Sequence, residues 1–216
     1  MPGLKPGMTG TGFGAEDRGP MLIARYAKIA MAVCLAAFCL LVVFNNLTDY
    51  DTNYLFVQHV LSMDTTFPGN ALIYRSVTNP DLLRVAYGVI VAAEAVAGLL
   101  FFAGAIRLWQ TRTAPAVVFN QAKGLFVAGC LLAFLVWFFG FMVIAGEWFA
   151  MWQSSAWNGQ DAAFRFYVTV LAVLIFVNQP DGDLTQAKPV PVRAKPAPKR
   201  QPGRRADQKR RRTDKA

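Results

Sequence analysis

The chain has 216 residues, of which 55% are hydrophobic, and its formal net charge at pH 7 is +9. The two properties separate along the sequence into an apolar middle and basic ends. This combination excludes an ordinary soluble globular domain and favours an integral membrane protein.

In chain order, residues 1–26 come first and begin with a stretch rich in Gly and Pro that has no hydrophobic periodicity. We expect them to form a disordered cytoplasmic leader. The apolar run that follows lacks a small-residue cleavage site, so it is expected to stay as a membrane anchor and not to act as a cleaved signal peptide.

Four apolar stretches approach or exceed the roughly 20 residues that a membrane-spanning helix needs. They predict an all-α, polytopic membrane protein with a four-helix bundle over residues 27–179. The predicted spans are Ala27–Asn46, Leu82–Arg107, Lys123–Gly146 and Ala162–Gln179.

Two loops, 47–81 and 147–161, connect these spans on one side of the membrane. In the first loop, Tyr54, Val57, Val60 and Leu61 have the spacing of one helix face. This pattern predicts a short interfacial helix, followed by a turn and by an entry to the second span at residues 79–81.

Nineteen of the 22 Lys and Arg residues lie in the N-terminal flank, in the joint between the second and third spans, or in the tail. The positive-inside rule therefore predicts that both termini are cytoplasmic in a bacterial inner membrane and that both loops face outward.

A glutamate, Glu94, lies near the middle of the second span, where a carboxylate is costly. One helical face carries Glu94 together with Tyr87, Val91, Gly98, Phe101 and Ala105, and the small Gly98 predicts that this face points into the bundle. By depth, Glu94 is expected to be level with residues 36–37 of the first span and with Trp137, whose indole N–H is the expected hydrogen-bond donor. The alternatives are proton or cation handling by Glu94, or a protonated acid that only holds helices together.

The outward-facing loops carry polar and aromatic residues that could meet a partner or a ligand. Trp148 and Trp152 are expected to lie one helical turn apart and to form, with Trp157, an aromatic belt at the interface. The outer-face candidates are Asn46, Asp49, His59, Asp64, Glu147, Trp148, Trp152 and Asn158.

No cofactor or metal is predicted, and no catalytic set. The single histidine, His59, lies outside the spans, where it cannot serve as the intramembrane axial ligand of a b-type haem. Residues 49–60 fail as a calcium loop because Tyr54 replaces the required Gly and Val60 the required Glu. Cys34, Cys39 and Cys130 all lie in predicted spans and are expected to act as small apolar residues.

Residues 180–216 form a tail rich in Pro, Lys and Arg, which we expect to be disordered and cytoplasmic. It ends in Lys209, Arg210, Arg211 and Arg212, which could contact anionic lipid headgroups. The other interpretation is a topology signal without a ligand. Nucleic-acid binding is disfavoured because no aromatic residues interleave the charges.

Three segments of the chain carry a family resemblance: Phe44–Tyr50, Phe56–Phe67, and Gly146–Ser154 running into Trp157–Gln160. Together they resemble a bacterial family of predicted small integral membrane proteins, domain of unknown function 2165. The resemblance covers about residues 22–180 and implies four spans in a bacterial inner membrane, without implying an activity.

Three functional hypotheses follow. The first is a non-catalytic accessory or assembly subunit of a larger inner-membrane complex, such as a respiratory one, with the lipid bilayer and other subunits or further copies of itself as partners. The second is a small transporter or proton-coupled carrier that uses Glu94. The third is a membrane enzyme that uses His59 and Asp64.

Overall fold

The computed structural model describes residues 18–184, and within this range all regular structure is helical. The helices are α1 (Arg18–Thr48), α2 (Tyr50–Ser62), α3 (Pro80–Gln110), α4 (Ala116–Gln121), α5 (Gly124–Phe134) and α6 (Gln160–Asn178). Helix α5 continues directly into a π segment, Leu135–Trp148, and two short 3-10 turns cover Ile73–Arg75 and Met151–Gln153. The predicted fold class is therefore confirmed.

Among residues 18–184, four helical stretches are long and apolar enough to cross a membrane: 19–48, 80–110, 116–148 and 160–178. Their outward surfaces expose large apolar side chains such as Leu41, Val85, Leu99, Leu131 and Ile175. Such surfaces suit a hydrocarbon environment and would be unusual on a water-soluble monomer. The four predicted spans all correspond to these stretches.

Helix α3 lies between α1 and α5, and small residues allow the close approach. Gly98 lies against Leu40 and Cys39 of α1, and Gly104 lies against the backbone of Phe126. All six residues of the face predicted around Glu94 are buried, so that prediction is confirmed.

The loop helix α2 is confirmed, and its apolar face packs on the bundle. Val57 of α2 forms a buried cluster with Tyr87 and Val91 of α3. Helix α2 ends at Ser62 and is capped by Met63, which has a left-handed backbone (φ 56°) and donates its N–H to the carbonyl of Val60. The predicted entry to α3 is also confirmed, because the Asn79 side chain accepts hydrogen bonds from the N–H groups of residues 81 and 82.

The structure corrects both predicted ends of the bundle. Helix α1 begins at Arg18, so residues 18–26 are helical and not part of an irregular leader; Pro20 is tolerated because it lies in the first turn. The beginning of the predicted tail, residues 180–184, is held against the bundle through Asp181. The rest of the leader and of the tail, including Lys209–Arg212, lies outside the described residues.

We call the side of the bundle that carries α2 and both loops the loop end. The opposite side, with the start of α1, helix α4 and the end of α6, is the terminal end.

Candidate functional site

Glu94 is 3% exposed, on the face of α3 that meets α1. The Nδ2 group of Asn46 donates a hydrogen bond of 2.7 Å to Glu94 Oε2. Within residues 18–184, no Lys, Arg or His forms an ion pair with this carboxyl group. The site is therefore a buried acid held by one neutral amide.

The prediction that the Trp137 indole donates a hydrogen bond to Glu94 is wrong. Its ring packs between Phe38 and Phe166, at centroid distances of 5.7 and 5.6 Å. The predicted depth of Glu94 relative to α1 is also wrong. Helix α1 continues to Thr48, and Gly98 lies beside Leu40. Glu94 therefore faces the last turns of α1 and not residues 36–37. Asn46 points into the bundle, although we had expected it on the outer face.

Polar and aromatic groups connect Glu94 to the loop end. The Tyr87 hydroxyl donates a 2.7 Å hydrogen bond to the carbonyl of Asn46, the same residue that donates to Glu94. The Tyr87 ring meets Tyr50 edge-on at 5.0 Å and Tyr54 at 6.0 Å. Because Tyr50 is exposed, this chain of groups leads from the buried acid to the loop-end surface.

Toward the terminal end, an apolar layer borders the acid. Its central residues on α3 are Ala97 and Phe101, and both are fully buried. Cys39, Cys130 and Ala133 complete it from α1 and α5. The polar groups around Glu94 therefore reach one end of the bundle, and packed apolar side chains separate them from the other.

The two loops pack together into a cap over the loop end. The Thr65 hydroxyl donates to Ser154 Oγ at 2.8 Å, and the Phe67 N–H donates to the side chain of Gln153 at 3.1 Å. His59 stacks on Trp157 with ring centroids 4.5 Å apart. Residues far apart in sequence thus hold the loops in one arrangement.

His59 and Asp64 are brought together, since His59 Nδ1 lies 2.8 Å from one Asp64 oxygen. Ser62, whose hydroxyl lies between these two residues in sequence, donates instead to the backbone carbonyl of His59. Within residues 18–184, no group of three or more His, Cys, Asp or Glu side chains could hold a metal ion.

Trp148 and Trp152 are 53% and 49% exposed, on the surface of the cap. They are not one helical turn apart, because the π segment ends at Trp148 and Ala150 has a left-handed backbone (φ 51°). Arg75 lies over the Trp148 ring at 4.5 Å, and Trp152 meets Phe67 edge-on at 5.8 Å.

The remaining outer-face candidates, Asp49, Glu147 and Asn158, are exposed at the loop end. Asn158 has a local structural role: its side-chain oxygen accepts a hydrogen bond from the N–H of Gln160, the first residue of α6. Asp49 precedes α2, and its carbonyl accepts from the Asn53 side chain at 2.8 Å.

A family model described as a predicted small integral membrane protein, DUF2165, matches residues 24–180. This chain belongs to the DUF2165 family. The match begins inside α1 and ends just after α6, so it contains most of the first spanning stretch, the other three in full, and both loops of the cap. No curated protein and no solved structure matches the chain.

This DUF2165 protein also has a buried charged network at the terminal end, which we did not anticipate. Lys28 and Lys123 both donate to Asp181 Oδ2, at 2.7 and 2.5 Å, and all three side chains are nearly fully buried. Arg25, also fully buried, donates to the carbonyls of residues 112, 114 and 182.

The network fastens α1 to the α4 region and to the segment after α6. Its sequence signal is the pair Arg25 and Lys28, three positions apart on one helix face, with Asp181 just beyond the last span. Charge counting assigned these lysines and this arginine to membrane orientation alone, and so missed that their side chains point inward.

Proposed function

We propose that this DUF2165 protein is a non-catalytic accessory or assembly subunit of a larger complex in the bacterial inner membrane, such as a respiratory complex. The main observation behind this proposal is the cap, which presents Trp148 and Trp152 at the surface of two loops that are bound to each other. Exposed tryptophans on a preorganised surface are typical of partner binding, because they bury much area and lose little conformational entropy.

The orientation in this proposal places the loop end outward and the terminal end in the cytoplasm. The distribution of Lys and Arg supports it, since Arg25, Lys28, Arg112 and Lys123 all belong to the terminal end. The partner would therefore meet the cap at or above the outer membrane surface.

The small-residue face of α3 gives this proposal no support. Gly98 and Gly104 are covered by α1 and α5 of the same chain and do not wait for another subunit. The expected interface is accordingly limited to the cap and to the lipid-exposed helix surfaces.

The test is purification of the tagged full chain from native membranes in mild detergent, followed by mass spectrometry of what remains bound. We expect a stoichiometric companion with the natural chain, and its loss from the double variant Trp148→Ala/Trp152→Ala. Central interface tryptophans commonly contribute about 2 kcal/mol or more each, so retention should fall at least tenfold.

The matched control is Trp109→Ala, since Trp109 is equally exposed, at 50%, but belongs to the terminal end of α3. This variant should keep the companion. A companion that stays with the double variant, or a natural chain that purifies without one, would contradict the proposal.

A proton-coupled carrier is the second candidate, and the burial of Glu94 beside Asn46 favours it. A carrier also needs a path to Glu94 from the terminal end, and the packed apolar layer around Phe101 and Cys130 lies between that end and Glu94. For this reason the accessory function is preferred.

A further inference from the structure

An apolar groove runs along the side of the bundle between α2, α3 and the π segment. It has a volume of about 420 Å³, within the range of about 300–1,000 Å³ typical of ligand sites. Every residue that lines it is apolar. Helix α3 contributes Ala86, Val89, Ile90 and Ala93, and helix α2 contributes Phe56, Val57, Val60 and Leu61.

The π segment gives the third wall its shape. Its hydrogen bonds join residues five apart, as in the bond from the N–H of Phe149 to the carbonyl of Ile144. Two rows of groove residues follow this five-residue spacing: 135, 140 and 145, and 139, 144 and 149. π-helical geometry is rare, and the single turns of it that occur inside α-helices are frequently at functional sites.

The rim of the groove faces the medium around the bundle. Val89, Leu135, Phe139 and Ile144 line the groove and are exposed. They belong to stretches long and apolar enough to cross a membrane, so that medium is hydrocarbon. Along α3 the groove covers about 10 Å, from Ala86 to Ala93. It therefore lies in the loop-end half of the hydrocarbon core, which is about 15 Å deep.

One cation, Arg75, is bound to the backbone beside the loop end of the groove. Arg75 donates a hydrogen bond to the carbonyl of Trp148, the residue before the groove residue Phe149. Two residues after Arg75, the N–H of Val77 donates to the carbonyl of Leu61, another groove residue. Within residues 18–184, Arg75 forms no ion pair, whereas Arg84 is paired with Asp81.

We propose that the groove is a binding site for one anionic phospholipid of the loop-end leaflet. One acyl chain occupies the groove, and the phosphate lies against Arg75. The depth of the groove fits a chain that enters from this leaflet alone. Since lipid tails are as apolar as the groove, the arginine and the shape of the walls provide the preference among lipids.

The test is native mass spectrometry of the full chain, with phosphatidylglycerol or phosphatidylcholine of identical acyl chains added in separate titrations. We expect one retained phosphatidylglycerol per chain. It should be preferred about fivefold over phosphatidylcholine, as expected for one basic group near an anionic headgroup.

Gly140→Leu is the blocking variant, because a Cβ at Gly140 would meet only the carbonyl of Leu135, at 3.7 Å. Its side chain should enter the groove without disturbing the fold and should reduce retained lipid at least tenfold. Gly88→Leu is the matched control, since a Cβ there meets nothing within 4 Å and Gly88 does not line the groove.

Arg75→Gln should remove the preference for the anionic lipid, and Arg84→Gln should leave it. Equal lipid retention by the Gly140 and Gly88 variants would overturn the proposal. An unchanged preference in Arg75→Gln would overturn it too. So would recovery of a phosphate-free isoprenoid, or of a polypeptide that covers the groove, as the bound species.

Discussion

The buried charged network at the terminal end allows a prediction with a defined magnitude. Asp181→Asn keeps the size of the side chain but removes the only carboxylate that the two buried ammonium groups of Lys28 and Lys123 share within residues 18–184. Each lysine would keep its hydrogen bond to the carbonyl of Gln179, at 2.8 and 2.7 Å. Their charges would then be uncompensated in a site that excludes water.

Removing one partner from a buried ion pair costs about 3–5 kcal/mol. Because the carbonyl contacts remain, we expect the lower value, about 3 kcal/mol, as the loss in the free energy of unfolding. For a chain of this size each kcal/mol lowers Tm by about 2–4 °C, so the variant should melt about 6–12 °C lower. The assay is size-exclusion chromatography of the detergent-solubilised full chain after heating.

Asp81→Asn is the matched control, because Asp81 also forms an ion pair, with Arg84, but in an exposed position. Its Tm should stay within the scatter of the assay. Replacing Lys28, Lys123 and Asp181 together, as Lys28→Met, Lys123→Met and Asp181→Leu, should recover most of the lost stability, since neither buried ammonium group is then left without its carboxylate. Equal melting of Asp181→Asn and Asp81→Asn would refute this reasoning.

Two further predictions concern α3. Gly104→Ala should lower Tm, since its Cβ would lie 2.8 Å from the backbone N of Phe126 and such overpacking costs about 1–3 kcal/mol. Gly88→Ala, with open space around it, should instead raise stability by about 0.5–1 kcal/mol. Shifts of the same sign in the thermal melting of the two variants would contradict the packing assigned to Gly104. The second prediction concerns proton uptake into liposomes that contain the protein and a pH-sensitive dye. Liposomes with the natural chain and with Glu94→Gln should take up protons equally slowly, and the exposed Glu147→Gln is the control. Proton uptake by the natural chain that Glu94→Gln abolishes would instead favour the carrier.

The helices could be predicted from the sequence because their signals are local. Long apolar stretches identify the spans, and Asn79 before Pro80 is a helix start that needs no tertiary partner. The buried face of α3 also followed from spacing, since Glu94, Gly98 and Phe101 repeat at the helical period. The location of both loops on one side of the bundle follows from the order of the spans.

The partner of Glu94 could not be predicted, because it depends on the offset between α1 and α3. An apolar stretch gives the minimum length of a spanning helix but not its end, and α1 extends two residues beyond Asn46. This small extension keeps Asn46 in a helix, where its amide can face α3. Burial of Lys28 and Lys123 escaped prediction for a related reason: a cation at the end of a span has the same sequence signal whether it faces water or Asp181.

The π segment could not be predicted for a different reason, since the number of residues per turn in it depends on tertiary contacts. Residues 135–148 are as apolar as a spanning α-helix, and nothing in their spacing indicates bonds between residues five apart. In the structure, Gly146 lies beside the side chain of Gln160, and Phe141 lies close to Gly159 and stacks on Phe56 of α2. If residues 135–148 had the 3.6 residues per turn of an α-helix, Gly146 and Phe141 would be rotated away from these neighbours. Contacts with the cap therefore fix the wider helix, and the wider helix in turn shapes the groove wall, so the cap and the groove are parts of one packing arrangement.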